Sequence, residues 1–173
     1  MCSDSDSDSQ FTMTHPGDSI RIVRSELTDE VSRALVDALN AELLATYPEP
    51  GATHFQLNPE QVAEGRGVFL VVYHGSTPAG CGALRLLNDI TAELKRMYVA
   101  PTYRRTGLGR RLLAALEAEA RVLGVRHLVL ETGTRQLAAL ALYRSTGFDS
   151  IPLFGEYLRS PKTSICLGKE LTP

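Results

Sequence analysis

The chain has 173 residues, 43% apolar and 22% charged, with no Trp. This is the composition of one globular domain with a sizeable core, and it excludes a chain disordered throughout. The net charge of −2 comes from 18 basic and 20 acidic residues. Asp4, Asp6, Asp8 and Asp18 all fall in the first 19 positions, so the rest of the chain carries 18 basic against 16 acidic residues. A near-neutral body argues against a nucleic-acid partner, and any basic site should be local. No apolar run reaches the roughly 18 residues of a membrane span. No secretory signal opens the chain, and three scattered cysteines, Cys2, Cys81 and Cys166, support neither a disulfide framework nor a zinc site, so a cytoplasmic protein without a metal is expected.

Residues 1–19 hold the alternating Ser/Asp run Ser3 to Ser9 and are expected to form a disordered tail, followed by a single domain over 20–173. Ile20 to Arg24 reads as a first strand. Thr28 is a suitable N-cap, and Val31, Leu35, Leu39 and Leu43 form an apolar stripe that ends at Tyr47-Pro48. Asn58-Pro59-Glu60-Gln61 predicts a short helix start. Val68–Tyr73, Gly80–Leu87 and Ile90–Val99 then read as three strands of an antiparallel meander, the first with the continuous apolar run of a strand buried on both faces.

A helix is predicted over Gly107–Leu123, with Leu108, Leu112, Leu116 and Ala120 on one face and Gly124 closing it. Val125–Glu131 predicts a strand and Gln136–Ser145 a helix, and residues 148–154 and 162–169 can supply two last strands. The expected fold is a mixed α/β sheet of about seven strands, mostly antiparallel, with helices on both faces.

Chemistry concentrates where the third meander strand ends. Arg104, Arg105, Thr106, Gly107, Leu108, Gly109 and Arg110 join that strand to the long helix. The first amides of a helix lack intrahelical acceptors and sit at the positive end of its dipole, so this loop suits an anion such as a pyrophosphate. Neither a P-loop lysine nor a third dinucleotide-type glycine is present. On the preceding strand, Ala92 and Leu94 share one side while Met97 and Val99 are out of phase with them. Either a β-bulge intervenes or Met97 faces a helix on the other side.

Arg104-x-x-Gly107-x-Gly109 after a strand ending in Val99, with Ala141-Leu142-Tyr143-x-x-x-Gly147-Phe148 further on, resembles the GNAT superfamily of acyl-CoA-dependent N-acyltransferases. The resemblance spans residues 20–171. It implies an N-acetyltransferase whose cosubstrate is acetyl-CoA. The loop Arg104–Arg110 would receive the pyrophosphate, and Met97, Tyr98 and Val99 would pair with the pantetheine arm. Val99 N–H would polarise the thioester carbonyl. Gln136 stands where the family often has an Asn touching the pantetheine. Tyr143 matches the general acid that protonates the departing thiolate, its alternative being a packed aromatic.

A base is required because an alkyl amine, with a pKa near ~10, is mostly protonated at neutral pH. Glu131, at the end of its strand, and Glu93, acting through a water, are the candidates, each with the alternative of an ordinary ion pair, with Lys95 or Arg126 for Glu131. His54 and Phe154-Gly155-Glu156-Tyr157 are candidate acceptor walls. A small-molecule or amino-acid-like primary amine is the favoured acceptor, transfer is direct in a ternary complex, and a homodimer is compatible with the family. A protein acceptor and a non-catalytic CoA-binding module remain the alternatives.

Overall fold

The computed structural model describes residues 19–50 and 56–172; the Ser/Asp tail, Cys2, His15 and His54 lie outside them. Ten elements follow in chain order: β1 Ile20–Arg24, α1 Glu30–Thr46, β2 Gly67–His74, β3 Thr77–Leu86, β4 Thr91–Val99, α2 Leu108–Val122, β5 His127–Gly133, α3 Leu137–Ser145, β6 Asp149–Ile151 and β7 Ser164–Glu170. The strands form one seven-stranded sheet in the order β1-β2-β3-β4-β5-β7-β6. All pairs are antiparallel except β4 with β5.

Alternation along the strands divides the core in two. Leu70, Val72, Leu84, Leu94, Leu128 and Leu130 pack on one face with Leu112 and Leu116 of α2 and with Leu140 and Tyr143 of α3. Phe69, Val71, Cys81, Ala83 and Tyr98 pack on the other with Leu35 and Leu39 of α1. Burial of each such Leu stabilises the fold by about 2 kcal/mol. Gly82 is required by this packing: a Cβ there would lie 2.8 Å from Met97 Sδ and 2.9 Å from Leu116 Cδ1.

Three local expectations are corrected. Helix α1 starts one residue later than Thr28 would cap it; Asp29 is the N-cap, and its Oδ2 accepts from Ser25 Oγ and Glu26 N–H at 3.0 and 3.2 Å. Pairing of β5 begins at His127 and runs on to Gly133, two residues beyond Glu131. The strand expected over 148–154 is cut to Asp149–Ile151, because Pro152 has no N–H for a ladder; a 3-10 turn over Gly155–Arg159 follows. At Asn58 the expected cap is present, its N–H donating to Gln61 Oε1 at 3.0 Å before a 3-10 turn over Pro59–Val62.

Candidate active site

The site is made by a break in the sheet. The parallel ladder of β4 and β5 covers only Thr91–Leu94 and His127–Leu130. Beyond it β4 stays with β3 to Val99, while β5 stays with β7 to Gly133. A bulge drives the divergence. The β3–β4 register slips between Cys81 and Ala83, and Arg96 takes a left-handed φ of 57°. The two readings of Met97 prove to be one: the bulge changes the phase, and it thereby returns Met97 and Val99 to the α2 face alongside Leu94.

The backbone of this segment is poised for a ligand. Ala100 N–H donates to Ala79 O at 2.9 Å, so by strand alternation Tyr98 turns its backbone groups to β3 and Val99 turns its own into the gap. This corrects the expectation for Tyr98, whose side chain is buried against α1. The Val99 carbonyl accepts from Arg104 Nε at 2.8 Å, and the same guanidinium pairs with Glu42 of α1 at 2.6 Å. Arg104 therefore anchors the strand end instead of extending into the loop as free charge.

In the loop itself Gly107 has φ 85°, and a Cβ there would meet nothing within 4 Å. Arg105 also adopts a left-handed φ of 63°, and Thr106 Oγ1 donates to Tyr103 O at 2.6 Å. Leu108 is buried in the core, so its share in an anion site is its amide. Gly109 follows on the first turn, with Leu142 3.3 Å from the position of a Cβ. Exposed Arg110 donates to Ser145 Oγ at 2.9 Å. The open first turn of a 15-residue helix, flanked by Arg105 and Arg110, fits a pyrophosphate.

A cleft of about 100 Å³ runs through the gap. Leu39 and Leu43 line it from α1, Lys95, Arg96 and Met97 from β4, Glu131 and Thr132 from β5, Gln136, Ala139 and Tyr143 from the α3 side, and Tyr157 from the turn after β6. Glu131 and Tyr143 thus reach one cleft from opposite faces of the sheet. Tyr143 is 5% exposed and meets Phe148 edge-on at 5.7 Å; burial, and secondarily the charge of Glu131, pushes its pKa well above the ordinary phenol value. Its hydroxyl is protonated at neutral pH, as a proton donor must be.

Glu131 makes no salt bridge among the described residues. Burial pushes its pKa up to about 7, with Glu93 and Glu156 acting in the same sense and Ser164 and Lys95 opposing them. Ser164 faces Gly133 across the β5–β7 ladder; its buried hydroxyl has no hydrogen-bond partner, so its influence on Glu131 is exerted beyond hydrogen-bond geometry.

Glu93 is differently placed. It is fully buried; Arg85 Nη2 lies 2.6 Å from Oε2, and Tyr157 donates its hydroxyl to Oε1. Lys95, beside it on the same face, donates to Glu156 at 2.8 Å and to the Tyr157 hydroxyl at 3.1 Å. The water-mediated base expected at Glu93 thus meets a side chain whose two oxygens are both engaged, away from the cleft lining. Gln136 Oε1 accepts from Gly133 N–H at 2.8 Å and Thr132 Oγ1 at 3.2 Å, closing the β5–α3 turn.

Sequence reasoning did not select Lys95, Arg96 or the α1 leucines as site residues. The one available signal was the pair of charges, Glu93 and Lys95, interleaved with Ala92 and Leu94 on an otherwise buried strand. The cysteines offer no nucleophile, since burial raises the Cys81 thiol to about 12 and Cys166 to about 11. No cluster of potential metal ligands occurs among the described residues, and no helix there is long and apolar enough to cross a membrane.

Comparison with known proteins agrees with this geometry. The sequence profile described as Acetyltransferase (GNAT) family matches residues 32–148. A protein of Azospirillum brasilense named IAA acetyltransferase is 36% identical over 143 residues, covering 82% of this chain and 92% of its own. The solved structure of a Klebsiella pneumoniae protein named as an acyl-CoA N-acyltransferase superposes with a TM-score of 0.74 at 34% identity, covering 88% of this chain and 98% of that one. A GNAT family acetyltransferase of Elizabethkingia anophelis, solved with acetyl-CoA bound, shares the fold at 20% identity with a TM-score of 0.64, covering 88% and 98%.

Proposed function

Because the chain belongs to the GNAT acetyltransferase family, we propose that it moves the acetyl group of acetyl-CoA to a primary amine on a small, amino-acid-like molecule, by direct attack in a ternary complex. The observation that carries this reading is the single cleft lined by both Glu131 and Tyr143. An ammonium group entering from the α1 side gives a proton to Glu131, whose pKa near 7 suits a base at neutral pH. Val99 N–H donates to the thioester oxygen as negative charge grows there. Tyr143, protected from water on the α3 side, protonates the leaving sulfur.

The loop Arg105–Arg110 holds the pyrophosphate through helix-start amides, with Arg105 and Arg110 adding charge, while Met97 and Val99 pair with the pantetheine. The elevated cysteine pKa values support a route without a covalent enzyme intermediate.

Calorimetric titration with acetyl-CoA, with CoA and ATP as controls, tests the reading. Micromolar binding of both acyl carriers and none of ATP is expected, followed by thiol release with an amine acceptor. Absence of acetyl-CoA binding refutes it.

A further inference from the structure

Resting on the amine-acetyltransferase reading, we propose that the acceptor is a zwitterionic amino acid with an apolar side chain, held by Arg96 through its carboxylate while its amine faces Glu131 and its side chain lies against Leu39 and Leu43. The argument starts from the lining of the cleft, which contains one carboxylate, Glu131, two cations, Lys95 and Arg96, and an apolar wall from α1. A diamine or polyamine would bring a second ammonium against Lys95 and Arg96, so the arrangement selects against polycations. An acceptor with one ammonium and one carboxylate matches both signs.

Of the two cations, Lys95 is held by Glu156 and Tyr157. Arg96 is held differently: its Nη1 donates to the neutral Asn40 Oδ1 of α1 at 2.9 Å. Asn40 directly follows Leu39, so this bond carries the guanidinium to the helix that supplies the apolar wall. A guanidinium presents five donors in a planar fork that suits a carboxylate, and one of these is spent on Asn40. Burial is the main perturbation of the Arg96 charge, followed by Cys81, Tyr157 and Glu156. Those neighbours place the charge on the α1 side of the sheet, the side to which Glu131 also points. A carboxylate arriving there would offset the desolvation.

The backbone adds a second observation. Arg96 is the bulged residue, at φ 57°, a conformation costly for a side chain with a Cβ and found most often at ligand sites. The bulge that opens the gap for the cosubstrate thus also aims Arg96 toward the acceptor side. One local feature then positions both substrates.

The reaction balances as follows. The ammonium nitrogen gives up two protons, the N–C bond forms and the C–S bond breaks. One proton leaves through Glu131 to solvent, and Tyr143 supplies one to the sulfur and is itself reprotonated. The products are the N-acetylamino acid, its carboxylate unchanged, free CoA thiol and one proton.

The test uses thiol release at pH 8 with L-leucine, L-methionine and L-phenylalanine, each beside its carboxamide. The free acids are expected to exceed their amides at least tenfold in kcat/KM, although the amide amines are less protonated at that pH. Arg96→Gln should lower kcat/KM at least tenfold through KM for the free acids and leave the amides unchanged, with partial recovery in Arg96→Lys. Amides that match the free acids, or an Arg96→Gln loss equal for both, would overturn the assignment. Acetyl-CoA binding without turnover of any of the six overturns this proposal alone; absence of acetyl-CoA binding removes the transferase reading together with it.

Discussion

Glu131 keeps its proton to a higher pH when folded than a solvated carboxyl does, and that fact can be tested twice. Its pKa rises from 4.5 to about 7, chiefly through burial, in an environment that also contains Lys95, Glu93, Glu156, Ser164 and Tyr143. Between those two values the folded state binds more protons than the unfolded, so this group's effect on stability becomes steadily less favourable as pH rises through the window. Glu131→Gln should therefore leave the melting temperature nearly unchanged at pH 5 and raise stability by about 2 kcal/mol at pH 8.5. The same variant should lower kcat by about 10²-fold or more and abolish the acid limb of kcat/KM near pH 7. Tyr143→Phe is expected to lower kcat by about 10²-fold with an unchanged calorimetric Kd for acetyl-CoA. Full turnover in this variant would remove the acid role. Both residues were readable from the sequence because each belongs to a local pattern, one a strand end and the other the Ala141-Leu142-Tyr143 motif. Arg96 was not, since its role comes from a bulge that alternation reveals only as a phase slip.

At the scale of elements, two features carry the site. The first is the start of α2, where Gly107 takes a left-handed conformation before a buried Leu108. Gly107→Ala has room for its methyl but must hold φ 85°, so a loss of about 1 kcal/mol in stability and a several-fold higher KM for acetyl-CoA are expected. The second is the charged platform of Glu93, Arg85, Lys95, Glu156 and Tyr157, which ties β3 and β4 to the turn at Gly155–Arg159. Glu93→Gln strips a buried guanidinium of its closest carboxylate and should cost about 3 kcal/mol in chemical denaturation. Its kcat should change far less than that of Glu131→Gln, which separates scaffold from base. The helix-start loop was legible because glycines and helix starts act over a few residues. The platform was hidden because its partners lie more than 60 residues apart in sequence. The end of β6 was misread because Ile151, Leu153 and Phe154 look like a strand, whereas Pro152 cannot join one.

For the whole molecule the meander and the flanking helices were legible because hydrophobic periodicity reports them directly. The sheet order beyond β4 was not, since pairing β5 between β4 and β7 depends on contacts distant in sequence. The four-residue ladder between β4 and β5 is the seam of the sheet. Hydrogen exchange should slow at Met97–Val99 and Glu131–Gly133 when acetyl-CoA is added. The melting temperature should climb with its concentration, reaching about 2.7 kcal/mol of stabilisation at a hundredfold excess over Kd.

That gap bears on solubility as well. Unpaired strand edges are ordinarily where one chain adds to another and aggregation begins. Here the exposed backbone of β4 is recessed between Leu39 and Leu43 of α1 on one side and Ala139 and Tyr143 of α3 on the other. A peptide strand, with side chains on both faces, would collide with those walls, whereas a thin unbranched arm would not. The recess therefore leaves an open edge in the middle of a sheet without making it a nucleus for association between copies of the chain.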